Sequence, residues 1–186
     1  TTLLDPQTTV DNIHAIVLSG GSAFGLDDAG GVMSYLEEKG IGFDVTVTKV
    51  PLVPQAILFD LAVGSAKVRP DKDMGYAACQ NASSTHLSQG SVGAGCGATI
   101  GKLMGAEFAM KSGIGSASCV LDNGFCVAAI VAVNAMGDVY ENGQIIAGLL
   151  DKEGRFADTS RQMLIQAGQL MEEQEELLSF QKGKNT

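Results

Sequence analysis

Ile13-His14-Ala15-Ile16-Val17-Leu18 runs into Ser19-Gly20-Gly21-Ser22-Ala23-Phe24-Gly25-Leu26-Asp27, and the chain continues to Glu37-Glu38-Lys39-Gly40. The first six residues are a short apolar run that the glycine pair stops, which predicts a strand. A helical pattern follows, with Phe24, Leu26, Ala29, Val32, Met33 and Leu36 on one side and Gly40 suited to the position just past the helix end. The local reading is strand, glycine-rich turn, helix. Gly25, Gly30 and Gly31 cost a helix roughly 1 kcal/mol each against Ala. They are expected to let it pack tightly on a sheet or another helix.

Working outward, Phe43 to Val50 alternates valine with threonine and lysine, the period-two pattern of a half-buried strand. Pro51 and Pro54 punctuate the chain before Ala56-Ile57-Leu58-Phe59-Asp60-Leu61. Gly64 to Pro70 reads as a loop, Met74 to Asn81 as a short helix, and Ser83 to Ser91 as polar and turn-like. Gly113 to Val120 and Gly124 to Asn134 read as a hairpin turned by Asp122-Asn123-Gly124. Its second strand is apolar almost throughout, which predicts cover on both faces. Val139-Tyr140 adds a short edge. A long helix is expected from Asp158 to about Phe180, with Met163, Ala167, Leu170, Met171, Leu177 and Leu178 as its stripe and four glutamates as its wet face.

The 186 residues suffice for one domain, taken here as residues 1–186. Hydrophobic residues make up 45% and aromatics only 5%, with 24 Gly and no Trp, so the core rests on aliphatic side chains and close backbone contacts. Twelve basic against 21 acidic residues give a net charge of −9, which disfavours a nucleic-acid backbone as partner. The longest apolar run, Phe125 to Val133, is too short to cross a bilayer, so no membrane partner is expected. Thr1 to Asn12 is polar and acidic, and no signal peptide is expected there. Cysteines 79, 96, 119 and 126 lack metal-ligand spacing, and reduced, buried thiols in a cytoplasmic protein are the plainer expectation over disulfides. His14 and His86 complete no triad.

Gly90-Ser91-Val92-Gly93-Ala94-Gly95-Cys96-Gly97-Ala98-Thr99-Ile100-Gly101-Lys102 is the most unusual segment. It fails the Walker A pattern twice, at Cys96 and Leu103, and fails a dinucleotide fingerprint at Ile100. Two readings stand: a glycine-rich start to a helix packed on a sheet, or flat backbone that lets a substrate approach, with Lys102 projecting near it. Lys102 is either a solvated cation or a partly buried amine, a better base because burial disfavours its charged form. Asn134 ends an apolar strand, where its amide either caps the chain's exit or serves as an oxyanion donor.

Taken in order, these blocks, with Val50-Pro51-Leu52-Val53-Pro54, Arg69-Pro70, Gly75-Tyr76, Gly113-Ile114-Gly115-Ser116-Ala117 and Val133-Asn134-Ala135, resemble the self-processing L-aminopeptidase/D-amino-acid esterase/amidase group. That group includes β-peptidyl aminopeptidases and the nylon-oligomer hydrolase, and the resemblance covers roughly residues 3 to 150. It implies an αββα four-layer sandwich similar to N-terminal-nucleophile hydrolases but with a different strand topology. It also implies a precursor that cuts itself into α and β chains, freeing an N-terminal Ser or Thr whose own α-amine, with a pKa near about 8, acts as base.

Carried over by position, Thr186 is the nucleophile, Asn185-Thr186 the scissile bond, Lys102 the active-site lysine and Asn134 the oxyanion support. Phe59 stands where the nylon-hydrolase branch has Tyr, so a phenolic role there is absent or moved. The family's opening strands and everything after Thr186 are not in this sequence, which is therefore read as most of an α chain or a truncated precursor. A cut just after Thr186 is the alternative, with the nucleophile then on the partner. The implied partners are a β chain from the same precursor, further copies of the chain, and a peptide or amide substrate. No metal or organic cofactor is implied. Acyl transfer, as in the glutamate N-acetyltransferases that resemble this group, and a non-catalytic protein that keeps the scaffold are the rival readings.

Overall fold

The structure is a computed structural model and describes residues 2–85 and 87–183. In chain order its elements are β1 (Val17–Ser19), α1 (Asp28–Glu38), β2 (Phe43–Asp44), β3 (Lys49–Val50), β4 (Gln55–Ile57) and α2 (Lys72–Gln80). β5 (Thr99–Ile100), β6 (Met110–Lys111), β7 (Ile114–Val120), β8 (Cys126–Ala132), β9 (Val139–Glu141), β10 (Gln144–Ala147) and α3 (Thr159–Gly183) follow. Helices and strands are therefore mixed. The residues cluster into two compact units, Thr1–Ala98 with Lys111–Asn134, and Thr99–Met110 with Ala135–Thr186.

In the first unit β1 and β4 pair in parallel, Val17 opposite Gln55 and Ser19 opposite Ile57. The glycine-rich stretch after β1 makes a 3₁₀ turn over residues 22–27 before α1 begins at Asp28. The expected helix thus starts later than its apolar spacing predicts. Phe24 and Leu26 sit in the turn and are exposed, while Val32 and Leu36 are buried. The end of α1 follows the expectation. Gly40 adopts φ +68°, its N–H donates to Glu37 O at 2.8 Å, and Ile41 N–H donates to Leu36 O at 2.9 Å, the paired bonds of a Schellman cap.

The helix glycines meet another helix. A methyl on Gly31 would overlap the Lys72 carbonyl, and one on Gly75 would overlap that of Asp28, so α1 and α2 cross backbone to backbone. α2 starts where Asp71 Oδ1 accepts the Met74 N–H at 2.9 Å, an N-cap that seats the helix beneath that crossing.

Phe43 to Val50 departs from the single strand its alternation predicts. It is a tight hairpin of two short strands, β2 against β3. Thr46 takes φ +75° and donates its N–H to Asp44 Oδ1 at 2.8 Å, a local turn that outcompetes continued extension.

β7 and β8 pair antiparallel from Ile114–Ala132 to Val120–Cys126, as the two runs and the Asp122-Asn123-Gly124 turn predict. The expected cover is not there. Val127, Ile130 and Val131 are more than half exposed, so β8 presents apolar side chains on both faces. Three of the four thiols are exposed as well, two of them on this hairpin, and only Cys79 is half-buried. This corrects the expectation of buried thiols, and all four are free.

In the second unit β9 and β10 form a hairpin through Asn142 (φ +50°) and Gly143 (φ +79°), the backbone that a two-residue turn requires. β10 was not anticipated. α3 runs as expected, but Met163, Leu164, Leu170 and Met171 are exposed along it. Its start is fixed by Asp138, whose carboxylate accepts Thr159 N–H at 2.6 Å, Thr159 Oγ1–H at 2.7 Å and Leu149 N–H at 2.7 Å. Among the described residues of this unit, Leu149 and Ile100 are fully buried. Among the described residues no helix is long and apolar enough to cross a membrane.

Candidate functional site

Lys102 belongs to the second unit and Asn134 closes the second segment of the first. Thr186 and Asn185, the expected nucleophile and scissile partner, lie outside the described residues, as does His86.

The backbone at Lys102 is held from both sides. Gly101 N–H donates to Gly137 O and Lys102 N–H to Met136 O, both at 3.0 Å. Gly101 takes φ +69°, and a methyl there would run into the Gly148–Leu149 backbone, so only glycine allows this approach. The side chain that follows is half-buried, and burial lowers the pKa of its ammonium below the ordinary lysine value. This is the environment that the basic reading of Lys102 requires.

Asn134 is also half-buried, and its Nδ2 donates to the Phe59 carbonyl at 3.1 Å. That bond fixes the amide plane and ties the end of β8 to the segment beyond β4. Phe59 and Asn134, both singled out in the sequence, are thus brought together through the Phe59 backbone. The Phe59 ring is exposed and carries no hydroxyl.

Asp60 follows directly, and sequence reasoning assigned it no role. Its Oδ1 accepts the Gly21 N–H at 2.7 Å. Methyl groups on Gly20 or Gly97 would each collide with its Oδ2. Two glycine-rich segments distant in sequence therefore close on one carboxylate. The helix start expected in residues 90–102 is not there: Gly93–Gly95 is a 3₁₀ turn, and the chain proceeds into β5. The glycines serve close approach, to Asp60 at Gly97 and to the Gly90 and Ile114 backbones at Gly95. The available signal was the lone acid ending an apolar run in a chain with two glycine-rich segments.

A cavity of about 910 Å³ opens beside Asp60 within the first unit. Its walls are mostly apolar, including Val17, Leu18, Val32 and Ala94, and its charged lining is Asp28, Asp60 and Arg69. Asp28 is buried, and desolvation raises its carboxyl pKa above the usual range against the lowering effect of hydrogen bonds from Ser19 and Gln55. Arg69 stacks its guanidinium 3.6 Å from the centre of the Phe24 ring and donates Nε–H to Ala66 O at 2.6 Å. Among the described residues no three His, Cys, Asp or Glu side chains gather as a metal site.

The sequence profile of peptidase family S58 matches residues 1–171. An uncharacterized aminopeptidase of Mycobacterium leprae (strain TN) is 41% identical over 164 residues, which cover 84% of this chain and 43% of the relative. An uncharacterized aminopeptidase of Mycobacterium tuberculosis (strain ATCC 25618 / H37Rv) is 42% identical over 159 residues, with the same two shares, 84% and 43%. The 6-aminohexanoate-oligomer endohydrolase of Kocuria sp. (strain KY2) is 37% identical over 90 residues, 48% of this chain and 25% of the relative. The chain thus spans less than half the length of each of these relatives.

Proposed function

The chain belongs to peptidase family S58, and from that premise we propose that it is the α-chain portion of an amide or peptide hydrolase matured by autoproteolysis. The observation that carries the reading is the match over residues 1–171, a span holding both the desolvated Lys102 amine and the oriented Asn134 amide. Relatives named as aminopeptidases and as an oligomer endohydrolase support amides or peptides with a free amino terminus as substrates.

In this reading the Asn185-Thr186 bond breaks and Thr186 becomes the first residue of a β chain. Its hydroxyl oxygen attacks the substrate carbonyl while its own α-amine takes the proton. Asn134 donates an amide N–H to the oxygen that gains charge, and a donor already oriented by Phe59 pays no reorganisation cost during reaction. The leaving amine departs with a proton, and water then cleaves the acyl ester to regenerate the hydroxyl. Lys102, its charged form disfavoured, is neutral at a lower pH than an ordinary lysine and helps place the transferred proton. A β chain from the same precursor completes the site, and the assembly, a four-layer αββα sandwich, associates with further copies of itself.

The test is the intact mass of the protein expressed from its complete reading frame. Two chains are expected, the smaller beginning with Thr186, and Thr186→Ala should leave one. A folded wild type that stays one chain, or a Thr186→Ala variant that still divides at this junction, removes the reading.

A further inference from the structure

We infer that the cavity beside Asp60 is a carboxylate-binding site with Arg69 as its anchor, so that the substrate carries a free carboxylate on an aliphatic body. The inference rests on the hydrolase reading only in calling that ligand a substrate.

The two acids of the cavity are already answered by the protein. Asp60 accepts from Gly21 and is walled in by Gly20 and Gly97, while Asp28 is buried against Gln55 and Ser19. Among the described residues no acid answers Arg69. In a chain with 21 acidic residues it forms no salt bridge among those described. Of its donors, Nε alone has a hydrogen-bond partner among the described residues, and that partner is a neutral carbonyl. The Phe24 ring covers one face of the guanidinium. The side chain is therefore fixed in plane, with the edge that binds carboxylates in a two-pronged fashion left to a ligand. Pro70 holds this arrangement in place, since its ring lies 3.0 Å from where a Gly21 Cβ would stand, on the same glycine that donates to Asp60. Arg69 is the one cation among the described residues that line this cavity, and the apolar walls beside it call for an aliphatic chain ending in an anion, the chemistry of a short peptide or amino-acid oligomer with a free carboxyl end.

The experiment has a binding arm and a kinetic arm, both on the protein expressed from its complete reading frame. In calorimetric titration hexanoate should bind at least about tenfold more tightly than hexanamide, and Arg69→Gln should remove that preference. Equal binding of the two by wild type, tighter binding of hexylamine, or a preference that survives Arg69→Gln overturns the inference. In the kinetic arm, a peptide substrate with a free carboxyl end should show a KM roughly tenfold below that of its carboxamide, and the ratio should collapse in Arg69→Gln. Arg69-dependent hexanoate binding without turnover of any amide would sink the hydrolase reading and leave the carboxylate site standing. Turnover without discrimination between the two peptide ends would do the reverse.

Discussion

The α1–α2 crossing and the β7–β8 hairpin are both apolar, and both lie in the first unit, yet they solve opposite problems. The helices meet through Gly31 and Gly75, backbone on backbone, and bury Val32 and Leu36 between short caps. The hairpin carries larger side chains in an ideal pairing register and leaves most of them in water. Hydrophobicity alone did not decide which region was buried. Absent side chains let one surface close, while branched side chains on both faces of β8 need cover that this unit does not supply.

The sharpest way to break the contrast is at Gly31. Gly31→Ala gains about 1 kcal/mol of helix propensity. It should still destabilise the unit by roughly 2–3 kcal/mol, because the new methyl overlaps the Lys72 carbonyl and backbone cannot give way cheaply. Chemical denaturation reads this directly, and a neutral or stabilising result would mean that the helices do not cross this closely. Thiol labelling comes next. Cys119 and Cys126 on the hairpin should react at least about tenfold faster than Cys79 on α2, whose thiol pKa is raised by burial. Equal rates would erase the distinction.

Asp28, at the foot of α1, gives a smaller and pH-dependent effect. Its folded-state pKa lies above the ordinary value of 3.8, so the folded form holds the proton more tightly than the unfolded chain. Stability contributed by the protonated carboxyl is present below that value and is lost as pH rises through the raised one. Asp28→Asn should flatten this part of the stability–pH curve, and an unchanged slope would dismiss the assignment. The smallest effect is expected on the hairpin itself. Ile130→Thr, at a position more than half exposed, should change the stability of this chain by less than about 0.5 kcal/mol. A loss of core size there would show that β8 is covered in solution.

The same contrast explains what could be read from the sequence. The local reading located α2 and the β7–β8 hairpin well, because nearby residues, the Asp122-Asn123-Gly124 turn above all, set them. Helical spacing misplaced the start of α1, since Phe24 and Leu26 fall on that spacing but sit in a 3₁₀ turn. Alternation read one strand at Phe43 to Val50, where the Thr46 N–H donates to the Asp44 carboxylate and turns the chain instead. Lys102 and Asn134 were singled out from their blocks, but spacing left open whether Lys102 is solvated or partly buried, because that depends on packing from distant residues. Asp60 and Arg69 were invisible as a pair. Their environment depends on Gly21 and Phe24 from one segment and Gly97 from another, and single-sequence spacing carries no such information.

A last consequence concerns how this unit comes together in time. The Leu52 N–H reaches His14 Nδ1 across 38 residues, the Gly21 N–H reaches Asp60 across 39, and the Tyr76 hydroxyl reaches Glu38 across 38. These are not independent closures. The first two enclose nearly the same stretch of chain, so whichever forms first carries most of the loop entropy and the other follows at little added cost, while the third shares only part of it. Closing the Asp60 cradle therefore shortens the loop that the His14 contact must close, and the two are expected to form together.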